Sequence, residues 1–275
     1  KADNTKNNAS SDSKYVYITN NNNFNKLILT QSLRHDNFDN FDNKTTGKIG
    51  AKYNVNDDLS FSSNLGTSYS VPLLIQNVNP WGDTNFDIEA EKSKTFDIGF
   101  DYDDFKVTYF YHKVKDLIDW YDPTPTNYYN SDAIYTNLDG TSTFEGVEIS
   151  YKRELISDLL TSLNYTYLEA KDSDKEDLAR RAKNSLKFGV DYYGINKFHF
   201  NVNGEYVGNR KEDVYGVGSV QTGNYTVWNS VVNYEINKTF STYLKVDNLF
   251  DKYYQTVDGY ATAERSAYVG LKASF

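Results

Sequence analysis

Hydrophobic and polar residues alternate along most of this chain with a period of two. In the final segment Ala267, Val269, Leu271, Ala273 and Phe275 fall on one face, and Ser266, Tyr268, Gly270, Lys272 and Ser274 on the other. A period of two places such sets on opposite sides of a sheet. The pattern recurs upstream. Ile49, Ala51, Tyr53 and Val55 oppose Lys48, Gly50, Lys52 and Asn54, and Phe96, Ile98, Phe100 and Tyr102 oppose Asp97, Gly99 and Asp101. Leu186, Phe188, Val190 and Tyr192 oppose Ser185, Lys187, Gly189 and Asp191. Phe198, Phe200, Val202 and Tyr206 oppose His199, Asn201, Asn203 and Glu205, and Phe240, Leu244 and Val246 oppose Ser241, Tyr243, Lys245 and Asp247. The pattern predicts 13 strands, near 13–19, 26–35, 44–55, 59–69, 93–102, 104–120, 133–153, 159–170, 181–193, 197–209, 223–236, 239–254 and 264–275.

A soluble sandwich also alternates, but it shares one compact core between two sheets. Strands this long, repeated this often, predict an all-β, transmembrane, antiparallel β-barrel, one face of each strand in lipid and the other in water. The connections alternate in length. Asn56–Asp58, Asp103–Asp104, Gly194–Asn196 and Ile236–Lys238 are short, while 70–92, 121–132, 171–180, 210–222 and 255–263 are long. Short turns on the periplasmic side and long loops outside are the rule for bacterial outer-membrane barrels, which have an even strand count. On that orientation the first strand descends. An odd count with an extracellular start implies that an N-terminal part is missing, because an open edge in lipid leaves unpaired backbone groups.

The chain has 275 residues, no Cys, no Met and 4 Pro. No apolar run reaches the roughly 18 residues of a membrane helix, a requirement that a barrel does not share. Tyr (25) and Phe (16) are frequent; amphipathic rings suit the membrane–water boundary, and Tyr is also a good strand residue. The net charge of −9 and the absence of a basic stripe argue against a nucleic-acid partner. The polar start, Lys1-Ala-Asp-Asn-Thr-Lys-Asn-Asn8, has no secretory h-region and reads as a mature segment or a fragment.

Several segments resemble one family. Leu244-Lys-Val-Asp-Asn-Leu-Phe-Asp-Lys-Tyr-Tyr254, with Gly259, Tyr260, Arg265 and Phe275, is similar to the C-terminal signature of TonB-dependent outer-membrane receptors. Phe144-Glu-Gly-Val-Glu-Ile149 and Leu163-Asn-Tyr-Thr-Tyr-Leu168 resemble two internal strands of that family. Tyr69-Ser-Val-Pro72, Glu91-Lys-Ser93 and Phe96-Asp-Ile-Gly99 resemble its A-x-R-x-P … P-E-K-S … E-I-G loop and strand, with Val71 and Ala90 departing from the pattern. The likeness runs from about residue 26 to 275, leaving 1–25 as an N-terminal segment and first partial strand. It implies roughly the last 13 strands of a 22-strand barrel, without plug or TonB box. It further implies location in the outer membrane of a Gram-negative bacterium, TonB as a partner through the plug, and active uptake of a scarce large nutrient. Phe275 would be read by the barrel-assembly machinery. Asp177-Leu-Ala-Arg-Arg-Ala-Lys-Asn-Ser-Leu186 is most similar to the vitamin B12 (cobalamin) receptors, through motifs shared with iron-siderophore receptors. A passive barrel or adhesin-like surface module is the alternative.

No nucleophile elbow, phosphate loop or dinucleotide fingerprint is present, so the sequence points away from an enzyme. His35, His112 and His199 lie on different predicted strands, and loop 70–92 lacks the histidine that haem receptors of the family carry there. Asp36, Asp39 and Asp42 supply oxygens suited to calcium, or ordinary Asx turns; Asp172, Asp174, Glu176 and Asp177 share that ambiguity. No other cofactor is expected. The ligand-binding candidates are the loop aromatics Trp81, Trp120, Tyr121, Tyr128, Tyr129, Tyr215 and Tyr260. They can stack on a large planar ligand or belong to an aromatic girdle. Arg180 and Arg181 can bind anionic ligand groups or balance the acids beside them.

Overall fold

A computed structural model describes residues 12–77, 85–121, 134–214 and 217–274. The strands are β1 (Ser13–Phe24), β2 (Leu27–Phe38), β3 (Lys44–Asn54), β4 (Leu59–Ser70), β5 (Glu91–Tyr102), β6 (Phe105–Lys115), β7 (Ile118–Tyr121), β8 (Ile134–Asn137) and β9 (Thr141–Ile156). They continue with β10 (Leu159–Lys171), β11 (Asn184–Tyr192), β12 (Phe198–Val207), β13 (Arg210–Val214), β14 (Gly218–Thr222), β15 (Tyr225–Glu235), β16 (Phe240–Asp247) and β17 (Ser266–Ala273). One four-residue helix, α1 (Leu74–Asn77), interrupts a loop.

Thirteen strands form a single antiparallel sheet in the order β1-β2-β3-β4-β5-β6-β9-β10-β11-β12-β15-β16-β17. This is the predicted number and order. β7–β8 and β13–β14 are separate hairpins carried by the connections between sheet neighbours. Among the described residues the outer edges of β1 and β17 have no partner strand.

The cross-strand register carries the alternation from strand to strand. Tyr192, Phe200, Val232, Leu244 and Val269 lie directly across from one another on β11, β12, β15, β16 and β17. Tyr53, Phe61, Phe100, Val107 and Ile149 do the same on β3, β4, β5, β6 and β9. This apolar face is bare: Ile49 and Leu65 are each 54 % exposed and Leu271 67 %. An exposed, continuous apolar wall is costly in water and favourable in lipid. The opposite, inward face is hydrogen-bonded. Asn64 Nδ2 donates to Asp97 Oδ1 at 2.7 Å. Asn201 Nδ2 reaches Asp191 Oδ1 at 2.9 Å, and Asn203 Nδ2 reaches Asn201 Oδ1 at 2.6 Å. His199 Nε2 lies 2.7 Å from Asp191 Oδ1, with Tyr193 stacked on its ring at 4.4 Å.

At one end of the sheet the connections are tight. Asn25, Asp103 and Asp158 turn the chain at φ of 60°, 49° and 67°; Asn and Asp tolerate this left-handed region better than other non-glycine residues. All the long connections lie at the other end. Among the described residues the buried hydrophobic ones are Ile88, Ala90, Ala170, Leu178, Tyr225 and Val227, and each sits in or beside a long connection. The barrel segment therefore has an apolar wall and, at its long-loop end, a small packed core.

Several predicted boundaries move. The strand read over 104–120 leaves the sheet after Lys115, because Asp116 adopts φ 60°. The next residues pair instead with β8, and the strand read over 133–153 joins the sheet only at Thr141, after Gly140 at φ 81°. The strand read to 254 ends at Asp247. There the buried side chain of Asn248 accepts from Lys252 N at 2.8 Å and donates to Lys252 O at 2.9 Å, curling the chain. The first strand continues to Phe24, its asparagines paired across to Ile28–Gln31. The connection 210–222 is a hairpin rather than an open loop.

Candidate functional site at the long-loop end

Three connections are tied together above β10–β17. Arg180, in the connection after β10, donates its backbone N–H to Lys211 O at 2.7 Å and its Nε–H to Glu212 Oε1 at 2.6 Å. Its φ of 61° aims both groups at hairpin β13–β14. Glu212 is 1 % exposed, and its Oε2 has no hydrogen-bond partner among the described residues. A buried carboxylate is tolerated here because a guanidinium meets it. The same hairpin is fixed from its other side: Arg210 donates Nη2–H to Thr256 O in the last long connection and Nε–H to Thr222 Oγ1. Tyr225 and Tyr254 pack with ring centroids 4.8 Å apart beneath.

Below these loops the inward face of the sheet holds an open cleft of about 560 Å³. Lys187, Asn203, Glu205, Asn229, Tyr254 and Tyr268 line it. Lys187 and Glu205 are directly opposed across β11–β12, and Tyr268 receives the Lys245 ammonium over its ring at 5.4 Å. Charges of both signs, amides and aromatic rings on one concave wall suit a polar ligand of some size.

A second group of loops is stitched by Asn137. Its Nδ2 donates to Glu89 O at 3.0 Å and Asp116 O at 2.7 Å, and its Oδ1 accepts from Glu89 N at 2.8 Å. Asn85 Nδ2 donates to Tyr135 O at 3.0 Å. Connection 71–90 is thereby held against hairpin β7–β8.

The sequence candidates divide. Tyr121 ends β7 and Tyr260 projects from the last connection, both exposed. Trp120 packs edge-on against Tyr135 at 5.0 Å, an internal role in its hairpin. Arg180 balances Glu212 on a neighbouring connection, not the acids beside it in sequence. Arg181 donates to Ala179 O at 3.2 Å and presents an exposed guanidinium. Trp81, Tyr128, Tyr129, Tyr215 and Phe275 lie outside the described residues. Of the calcium candidates, Asp36 is 1 % exposed and takes three bonds from Arg34. Asp39 accepts from Asp12 N at 3.0 Å, and Asp42 lies 3.9 Å from Lys44 Nζ. Among the described residues no three His, Asp or Glu side chains converge as a metal site. Asp172 caps its own turn by accepting from Asp174 N and Glu176 N, each at 2.9 Å. Asp177 lies 2.6 Å from Lys171 Nζ and 3.3 Å from Lys183 Nζ. Those lysines, Lys171 foremost, hold its carboxyl below the usual aspartate range, against the opposing effect of burial.

Sequence reasoning missed Glu212, Arg210 and Asn137. Arg210 finds Thr222 and Thr256 only once the hairpin has folded. Nothing local marks Glu212 as buried or Asn137 as a staple.

An apolar outward wall, a hydrogen-bonded inward face and a loop-covered cleft at one end define part of a transmembrane β-barrel. The family described as "TonB dependent receptor-like, beta-barrel" matches residues 1–249, and the chain belongs to it. The family is one of outer-membrane receptors. Solved structures share the fold. A mutant of the ferric enterobactin receptor PfeA of Pseudomonas aeruginosa, in complex with enterobactin, superposes with a TM-score of 0.78 at 21% identity, over 96% of this chain and 46% of that one. The siderophore receptor PirA of Acinetobacter baumannii gives 0.77 at 20% identity, over 96% and 46%. The copper transporter OprC gives 0.77 at 18% identity, over 96% and 47%. The chain thus spans a little under half the length of these structures.

Proposed function

We propose that this chain is the barrel part of a receptor for active uptake of a large anionic metal chelate of the ferric-siderophore kind. The ligand would enter from the extracellular, long-loop side, and TonB would act through a plug. The observation that carries this reading is the loop platform held by Arg180 and Arg210 over a cleft lined by Lys187, Asn203 and Tyr268. The platform also presents the exposed guanidinium of Arg181 beside the tied Arg180, and guanidinium groups bind carboxylate or catecholate oxygens with directed bonds. That chemistry, with siderophore receptors among the fold relatives, favours an anionic chelate over vitamin B12.

In the complete receptor, Arg181→Ala with Tyr260→Ala should weaken binding of a ferric catecholate siderophore about tenfold or more, two directed contacts being lost, while surface expression stays unchanged. Preferential binding of vitamin B12, or siderophore binding unaffected by the pair, would overturn the substrate reading. Uptake that persists without an energised inner membrane would indicate a passive barrel.

A further inference from the structure

One patch of the outward wall breaks its apolar rule. Asn20 and Asn22 on β1 and Gln31 on β2 share the outward face with Ile49 on β3. Gln31 lies directly across from Asn20 on one side and from Ile49 on the other. Along the same two strands Ile18 and Leu33 are opposed toward the long-loop end, and Phe24 and Leu27 toward the turn. The amides therefore sit inside the apolar band rather than at its rim.

Elsewhere the outward wall returns its polar groups to its own backbone. Ser63, Thr161 and Thr242 donate their hydroxyls to Asp97 O at 3.0 Å, Arg153 O at 3.1 Å and Gly270 O at 2.9 Å. The amides do not. Asn20 Nδ2 and Asn22 Nδ2 both donate to Gln31 Oε1, each at 3.1 Å. Asn20 Oδ1, Asn22 Oδ1 and Gln31 Nε2 have no hydrogen bond among the described residues. An amide has an oxygen and a pair of N–H groups to satisfy, and lipid satisfies neither. The ladder neighbours of Gln31 are described on both sides, and they offer its Nε2 no acceptor. Beside the amides, Gly47 and Ala51 flank Ile49 on the outward face of β3 and leave two hollows in the wall.

We propose that this patch is the contact through which two copies of the receptor associate in the membrane. Its unused groups complement one another: Asn20 and Asn22 have oxygens to accept, and Gln31 has N–H groups to donate. A two-fold axis along the membrane normal sets Gln31 Nε2 of each copy against the asparagine oxygens of the other, a self-complementary contact. The hollows at Gly47 and Ala51 let two walls approach closely, as small residues do between membrane helices. Ile18 and Leu33 pack over the amides and keep lipid from them. A second copy is the occupant because both halves of the hydrogen-bond set are present on one chain, whereas acyl chains leave every one of these groups unmade. The inference rests on the wall lying in a membrane and is independent of the ligand proposed for the mouth.

The complete receptor, labelled in separate batches with donor and acceptor dyes and reconstituted in phosphatidylcholine vesicles, should show energy transfer that grows with protein density. Asn20→Leu, Asn22→Leu and Gln31→Leu together should weaken association about tenfold, because both symmetry-related sets of bonds are lost. Thr161→Val with Thr242→Val, outward hydroxyls that bond their own sheet, should leave it unchanged. At densities where the receptor is monomeric, the triple variant should withstand denaturant at least as well as the wild type, since leucine replaces amides that a single wall leaves unmade. Leu33→Cys should give a crosslinked dimer with a short bifunctional thiol reagent, and Leu244→Cys should not. Energy transfer no greater than that of randomly placed monomers, or a dimer that the triple variant leaves intact, would overturn the interface. A triple variant that is less stable as a monomer would show that the amides serve the wall itself, and would overturn it too. Crosslinking of Leu33→Cys in native membranes to a different protein, with no product between copies, would overturn the second copy as occupant.

Discussion

β4 and β5 pair residue for residue from Leu59 opposite Tyr102 to Ser70 opposite Glu91. Among the described residues, the chain between their upper ends carries a four-residue helix and is held by single side chains such as Asn137 and Asn85. The same contrast separates β12 and β15 from hairpin β13–β14, which Arg180 and Arg210 pin in place. The wall repeats one rule at every position, so its stability is spread over many equivalent contacts. The mouth depends on a few distinct bonds, so its integrity is concentrated in them. A receptor gains from this division. The wall must survive in lipid whatever the ligand, while the loops can change to suit one.

Substitutions in the two regions should therefore fail differently. The largest effect is expected on the wall's outward face. Leu244, opposite Val232 and Val269, and Val190, opposite Thr161 and Val202, meet lipid. Leu244→Arg or Val190→Arg should cost about 2–4 kcal/mol of folding free energy in vesicles if the site is near the midplane. Lys187→Arg and Lys245→Arg, on the inward face, should cost well under about 1 kcal/mol, as surface substitutions do. Denaturant titration in lipid vesicles measures both pairs, and equal costs would mean that the faces have been assigned the wrong way.

A smaller and more local effect is expected at the mouth. Arg180→Ala strands the buried Glu212 carboxylate, and leaving such a group without its donor costs about 1–3 kcal/mol. The loss should appear as faster proteolysis within residues 208–224, with the sheet still folded, because the contact joins two connections rather than two wall strands. Adding Glu212→Gln removes the stranded charge and should recover part of the protection. Arg181→Ala, which gives up one bond to Ala179 O, should change protection little. If Arg180→Ala unfolded the whole sheet, wall and mouth would be one cooperative unit and the contrast would fall.

The strands of the wall were legible because each repeats a local signal. The thirteen predicted strands and their order follow from period-two alternation and short Asx turns, neither of which requires knowing what the partner strand is. Strand ends were less legible. Asp116 and Asn248 leave the sheet through positive φ, a state that Asp and Asn adopt without announcing it among the many others of their kind in this chain. The mouth was largely illegible. Arg180 and Arg181 are adjacent and look alike, yet one is tied to a buried acid 32 residues away and the other is exposed. That difference depends on where hairpin β13–β14 lands, and no pattern local to residues 177–186 encodes it. Asp36 shows the same limit: its spacing with Asp39 and Asp42 suggested shared ligands, whereas Arg34 on the same strand takes its carboxylate.

The smallest expected effect tests whether the mouth can be loosened without touching the wall. Asp177 is held below its ordinary value of 3.8 chiefly by Lys171, with Lys183 adding to it. A carboxyl with a lowered folded-state pKa binds its proton less readily in the folded form than in the unfolded one. Its contribution is therefore fully present above its ordinary value and is lost as pH falls through the lower, folded value. The carboxylate is partly exposed, so solvent screening keeps the contribution small. Between neutral pH and about pH 5 the connection 172–183 should keep constant hydrogen-exchange protection; below about pH 4 its protection should fall while that of β11 and β12 persists. Asp177→Asn should abolish the pH dependence of this connection and leave the wall unchanged. Loss of protection in β11 and β12 at the same pH as in the connection would show that acid acts on the whole sheet, and the separation of wall from mouth would not hold at its weakest joint.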